Sequence, residues 1–274
     1  HSPALGYQDT ARGYSATAIG FQTVADGNES IAMGNKTRSE GNTSIALGDR
    51  TISSGYASAA FGILTNASGA NSSAFGRATT ASGFMATAMG ANTTAIGNVS
   101  TAMGGHTTAY SDHEFVIGYY NEEYTPASAT IWTSTDRLFV VGNGRSDAIR
   151  SNALTILKNG NIGIGDQTAP SHTMDIAGTL HSTEESYLAT SSGNVGIGDL
   201  TPSYKLDVAG TVRNTSSAYF ASSSGSVGIG TTVPRSKLHV LHPNNYTNGL
   251  SIENSTSSRW HFYVASGDNL RLYR

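Results

Sequence analysis

Two glycine series, each with a step of 14 residues and set seven apart, punctuate the first 118 residues of this chain. One is Gly6, Gly20, Gly34, Gly48, Gly62, Gly76, Gly90, Gly104 and Gly118. The other is Gly13, Gly27, Gly41, Gly55, Gly69, Gly83 and Gly97, and it lapses at Ser111. Such a chain cannot be built of helices. Glycine in a helix interior costs ~1 kcal/mol against alanine, and the Ser, Thr and Asn between the glycines compete for backbone hydrogen bonds. The residue before each glycine of the first series is apolar: Leu5, Ile19, Met33, Leu47, Phe61, Phe75, Met89, Met103 and Ile117. Alanine precedes that residue from Ala4 to Ala102, and threonine stands four before the second series from Thr23 to Thr107.

A fixed period of this kind is the mark of a stacked repeat. Each 14-residue unit reads as one coil of strand, corner, strand, corner. The glycines are expected to be the corners, where positive φ excludes a Cβ. The nine apolar residues are expected to be the core. Coils joined by backbone hydrogen bonds give a parallel β-solenoid, and at ~4.8 Å per layer eight or nine of them make a rod of roughly 40 Å. One large apolar side chain per coil gains ~1.5–3 kcal/mol on burial, while each ordered residue costs ~1–2 kcal/mol. A single roll is therefore poor in core. The alanines are expected to form a seam where several chains pack side by side.

Composition narrows the partners. Charged residues are 13% of the chain and the net charge is −3, about half the usual charged fraction. That offers no basic surface for nucleic acid or anionic membrane. Cysteine is absent, which removes disulfides and thiolate metal sites. No apolar run reaches the ~18 residues of a membrane span, so no membrane insertion is expected. The chain begins at His1 without a methionine, as a processed product or an excised segment does.

Beyond Gly118 the pattern changes. In "YYNEEYTPASATIWTSTDRLFVVGNG" the runs "TIWT" and "RLFVVG" read as strands, a connector with a local core around Trp132 and Phe139. From Asn159 a longer repeat starts: "GNIGIGDQTAPSHTMDIAGTL", "GNVGIGDLTPSYKLDVAGTV", "GSVGIGTTVPRSKLHVLHP". Pro170, Pro202 and Pro234 fall at its successive steps, as do Met174, Leu206 and Leu238. Each unit predicts a short strand, a proline-led turn and a second strand. Serine-rich strands, "YLATSSG" and "YFASSSG", lie between. The expected segments are 1–121, 122–158, 159–242 and 243–274.

Units such as "SIAMGNKTRSEGN" and "TSIALGDRTISSGY" resemble the head repeats of YadA-like trimeric autotransporter adhesins over residues 2 to about 121. That resemblance implies a left-handed parallel β-roll and a homotrimer. The "NVGIG…P…KLDVAG" units and the terminal "WHFYVASGDNLRLYR" resemble bacteriophage tail-fibre repeats that precede an endosialidase-type intramolecular chaperone domain, over roughly residues 135–274. This second resemblance implies an interlocked trimeric β-fibre and places Arg274 near a processing point or a segment end.

Sites of chemistry are sparse. "GNIGIG" is followed by a turn rather than the helix a phosphate loop needs. Glu122/Glu123 and Glu184/Glu185 are adjacent pairs, and neighbours on a strand point to opposite faces, against the paired geometry of glycoside hydrolysis. The same argument separates His239 from His242 as metal ligands. His106 and His113 mark the end of the roll. Triplets such as Asn28-Glu29-Ser30 and Asn66-Ala67-Ser68 follow from corner composition. No catalytic residue, cofactor or metal is expected. Tyr7, Tyr14, Tyr56, Phe84, Tyr119, Tyr120 and Tyr124 follow corners or sit at the junction, and exposed rings stack on sugars and anchor interfaces. The expectation is thus an all-β, elongated homotrimeric fibre, tail-fibre-like on a phage or phage-like particle, contacting a cell-surface receptor, with a glycan as the candidate. A bacterial surface adhesin or extracellular filament subunit, and a tailspike-like glycan depolymerase, stand as alternatives.

Overall fold

A computed structural model describes residues 2–183, 188, 193–213 and 225–241, together with the backbone of three strands within 250–273. The described chain is all-β and forms two compact units, residues 1–183 and 184–274. Glu184, Glu185 and His242, and nearly all of the serine-rich runs, lie outside the described residues.

In the first unit every coil holds one long and one short strand, as in Ile45–Asp49 and Ile52–Ser53. Nine long strands, Ala4–Tyr7 to Phe115–Tyr119, and eight short ones, Thr10–Ala11 to Thr108–Ala109, stack as two parallel sheets. Pairing runs in register at the 14-residue step, Ala46 with Ala60 and Leu47 with Phe61. This is the parallel β-solenoid that the period implies.

Its interior differs from the expectation. The alanines of the long strands, Ala46, Ala60, Ala74 and Ala88 among them, are fully buried, as are the short-strand alanines Ala67, Ala81, Ala95 and Ala109. Ser44, Thr51, Thr65 and Thr79 complete the filling. A coil this thin admits only small side chains. The nine apolar residues lie instead on the outer side of the long strands. Leu5 is 60% exposed and Met33 40%, while Ile19, Leu47, Phe61, Phe75, Met103 and Ile117 are half-buried and Met89 is exposed. Stacking along that face is real: the Phe61 and Phe75 rings lie 5.2 Å apart and nearly parallel. The alanines are therefore coil filling rather than a seam, and the large residues are a surface stripe rather than coil core.

The glycines also act differently. Gly48 is inside a long strand with φ +135°, and a Cβ there would fall on the carbonyl oxygen of Gly62 in the next coil. Gly55 has no positive φ; a Cβ there would fall on the carbonyl oxygen of Gly69. Close backbone stacking, more than the bend, demands them. The left-handed turns belong to the residues two beyond each glycine, such as Arg50 (φ 53°) and Ala57 (φ 52°). That conformation costs an L-residue ~1–2 kcal/mol. From Gln22 onward the amide of each such residue donates to the preceding coil, Arg50 to Asn35 O at 2.7 Å and Ala57 to Asn42 O at 2.9 Å, so the turn itself completes the ladder.

The stack continues past its last regular coil. Phe115–Tyr119 pairs in parallel with Arg137–Asn143, Phe115 opposite Phe139. Asn152–Leu157 and Ile162–Ile164 follow antiparallel, and Met174–Ile176 closes the sheet in parallel. "TIWT" forms no strand, because its residues belong to the extra loop this longer step needs. In the second unit Val195–Ile197 pairs with Leu206–Val208 and Val227–Ile229 with Leu238–Val240, both in parallel. Leu250–Glu253, Arg259–Ala265 and Asn269–Tyr273 form an antiparallel sheet.

Candidate functional site: the end of the roll and its connector

The repeat breaks where the coil stack ends, and the substituted residues cap it. Asp9 stands where the inner coils carry threonine. Its carboxylate accepts from Gly20 N at 2.7 Å, Thr23 N at 2.9 Å and Thr23 Oγ1 at 2.8 Å. Desolvation pushes Asp9 up, but these donors outweigh it and hold the carboxyl below its ordinary value. At the far end Asn121 takes the same place, its Oδ1 accepting from Thr108 N at 2.8 Å and its Nδ2 donating to Thr108 O at 3.0 Å.

Glu114 replaces the buried serine or alanine of the inner coils, Ser100 and Ala86 among them. It is fully buried, and its Oε2 accepts from Tyr110 N (2.7 Å), Ser111 N (2.8 Å) and the Tyr124 hydroxyl (3.1 Å). Burial pushes its carboxyl up despite those donors and the nearby Arg137. Oε1 has no partner, and neither has Nε of the equally buried Arg137. The Arg137 guanidinium lies 4.0 Å from the Tyr124 ring centroid and donates from Nη1 to Glu122 O at 2.7 Å. Burial and then Glu114 push the Tyr124 hydroxyl far up. The connector's core is thus as much polar as apolar: Glu114, Asp136, Arg137 and Asn152 are buried beside Val140 and Leu157.

Asp136 organises the loop above. Its carboxylate accepts from Ala127 N at 2.7 Å and Ser128 N at 3.1 Å. Ser128 Oγ accepts in turn from Thr130 N and Ile131 N. The loop is tied to the corner of the last coils by Asn98 N to Ala129 O at 2.8 Å and Asp112 N to Ser128 O at 3.4 Å. At its tip Ile131 is 68% exposed and Trp132 51%, so Trp132 is surface and not the core expected of it. His113 meets Trp132 edge-on at 5.9 Å, and the Lys158 ammonium lies 5.4 Å from the indole centroid. Lys158 Nζ donates to Ser111 Oγ at 3.0 Å.

Of the aromatics singled out in the sequence, Tyr7, Tyr14, Tyr56, Phe84 and Tyr119 are exposed. They are scattered along the coil corners rather than gathered. Tyr120 is only 9% exposed, stacked on His106 at 4.2 Å and facing Arg150 at 5.4 Å. Tyr124 is half-buried, held by Glu114 and Arg137. Both are joint residues and not binding surfaces, because their neighbours cover them. Trp132 was the ring missed; the clue was its place in a run with no glycine period.

Of the acidic pairs, Glu123 sits 3.2 Å from Arg150 Nε, and the Glu122 amide donates to Asn152 Oδ1 at 2.9 Å. Among the described residues no three His, Asp or Glu side chains gather as metal ligands. In the longer repeats one position anchors each proline turn. Ser171 N donates to Asp175 at 2.7 Å, Ser203 N to Asp207 at 3.1 Å and Arg235 N to His239 Nδ1 at 3.2 Å. The "GNIGIG" strand leads into such a turn and then a second strand.

The sequence matches the YadA head domain repeat over residues 11–37, 25–51, 53–79 and 81–107. The chain therefore carries YadA head repeats from 11 to 107, on the coils described above. No curated protein matches the chain.

Proposed function

We propose that this chain is a structural and adhesive fibre subunit, exposed outside a cell, that works as a homotrimer. One observation carries the reading: the roll has two unlike outer faces. The long-strand face carries one unbroken apolar column, Leu5, Ile19, Met33, Leu47, Phe61, Phe75, Met89, Met103 and Ile117, beside an outer column that is mixed and includes Asn35, Asp49 and Arg77. The short-strand face carries Asp26, Arg38, Glu40, Ser54, Ser68, Thr80 and Thr94, with Val24, Ile52 and Ile96 among its apolar residues. Interior filling of alanine, serine and threonine supplies little hydrophobic stabilisation. A continuous apolar stripe on a monomer of this kind marks an interface. Copies of the chain supply the cover, and a three-fold arrangement turns all long-strand faces inward and all short-strand faces to water.

Two settings fit. The repeats that pair "GIG" strands with "KLDVAG" strands favour a tail-fibre-like part of a phage or phage-like particle. The YadA head repeats favour a bacterial surface adhesin. Both make the roll a spacer that presents its surface to a target cell. Replacing Phe61 by Glu is expected to dissociate the assembly, because a charge would enter the buried stripe. Ser54→Glu, on the opposite face, is expected to leave it intact. Equal assembly of the two variants, measured by sedimentation, would count against the inward stripe.

A further inference from the structure

The connector loop at the end of the roll has features of a built binding site. Exposed Trp and Ile at a loop tip lose favourable burial, yet this tip is not loose. Two carboxylate-to-amide bonds from Asp136, two amide-to-hydroxyl bonds at Ser128 and two bonds to the coil corner fix it. A fixed tip binds without the ordering cost of a mobile loop. Its anchors are Asn98 and Asp112, on the corners that join a short strand to the following long strand.

The charges nearby are already committed. His113 Nδ1 is 2.7 Å from Asp112, Asp136 is bound by two amides, and the Lys158 ammonium lies by the indole and donates to Ser111. What remains for a ligand is indole surface, the second nitrogen of His113 and the hydroxyls of Thr130 and Ser134, the Thr133 hydroxyl being engaged with Ile131 O at 3.3 Å. That set suits a ligand with one apolar face, a rim of hydroxyls and no charge. We propose that Trp132 is the platform of a carbohydrate site that takes a neutral pyranose, its C–H face on the indole and its hydroxyls read by His113 and the loop. This deepens the adhesive reading and rests on it.

The test uses the full chain and the methyl glycosides of glucose, galactose, mannose and N-acetylglucosamine. The Trp132 indole N–H resonance, assigned with Trp132→Phe, is followed on titration, with saturation transfer to the sugar. At least one glycoside is expected to shift that resonance. Trp132→Ala is expected to weaken binding about tenfold or more with an unchanged circular dichroism spectrum, and Trp132→Phe to retain part of it. Unaltered binding by Trp132→Ala overturns the proposal. So does a Trp132 response to phosphatidylcholine vesicles with none to the sugars. No sugar response while the chain still adheres to cells removes the sugar site and leaves the adhesive reading; no response and no adhesion to any cell removes both.

Discussion

Gly48→Ala tests whether backbone stacking or bending requires the glycines. At φ +135° an L side chain costs about 1–3 kcal/mol in backbone strain. The added Cβ also falls on the carbonyl oxygen of Gly62, which is backbone and cannot rotate away. The coils must part there, and each ladder hydrogen bond lost costs about 0.5–1.5 kcal/mol. Two lost bonds bring the total to about 2–6 kcal/mol. At roughly 2–4 °C per kcal/mol, the melting midpoint should fall by roughly 5–20 °C, read by far-ultraviolet circular dichroism. Two controls separate the causes. Gly55→Ala has the clash without the positive φ, whereas Gly160→Ala has φ +91° with open space around its Cβ. Gly55→Ala should destabilise by a comparable amount and Gly160→Ala by no more than the strain. If Gly55→Ala melts with the parent chain and Gly160→Ala does not, the stacking argument is wrong.

Other substitutions probe the interior and the joint. The Thr65 hydroxyl is buried without a partner, so Thr65→Val should be neutral or stabilising by up to about 1–2 kcal/mol; a clear loss in a thermal melt would show that the hydroxyl is bonded. Burial raises the Glu114 carboxyl above its ordinary value of 4.5. A raised folded-state value means that its contribution is full below pH 4.5 and is lost as pH climbs through the raised value. The joint should therefore grow less stable with rising pH, and Glu114→Gln should flatten that slope; parallel pH profiles for the two proteins would refute the assignment.

Much of this architecture was legible in the sequence because a 14-residue step admits few folds. The stacking of Ala46 on Ala60 and Leu47 on Phe61 follows directly from the period. The direction in which side chains point was not so plain. Alternation along Ile45–Asp49 puts Ala46 and Leu47 on opposite sides, but which side is inside depends on how thin the coil is. That width is set by the small side chains that fill the coil, Ala46, Ser44, Thr51 and Ser53, while the glycine carbonyls set only the close approach of one coil to the next. The turn residues were hidden for a related reason: Arg50, Ala57 and Leu64 look nothing like αL formers, since the ladder and not propensity puts them there. The caps were readable in retrospect. Asp9, Glu114 and Asn121 are the residues that break the column of small side chains, and each break marks an end of the roll. Trp132 was misjudged because a large aromatic in an irregular stretch ordinarily makes a core, whereas here Glu114, Arg137 and Asp136 do so.

The most direct test of the whole account is the mass of the chain in solution by sedimentation equilibrium. An outer stripe covered by two further copies predicts three times the 28.4 kDa of one chain, without dissociation on dilution to the nanomolar range. A particle of one chain's mass that keeps its β-sheet spectrum would contradict it.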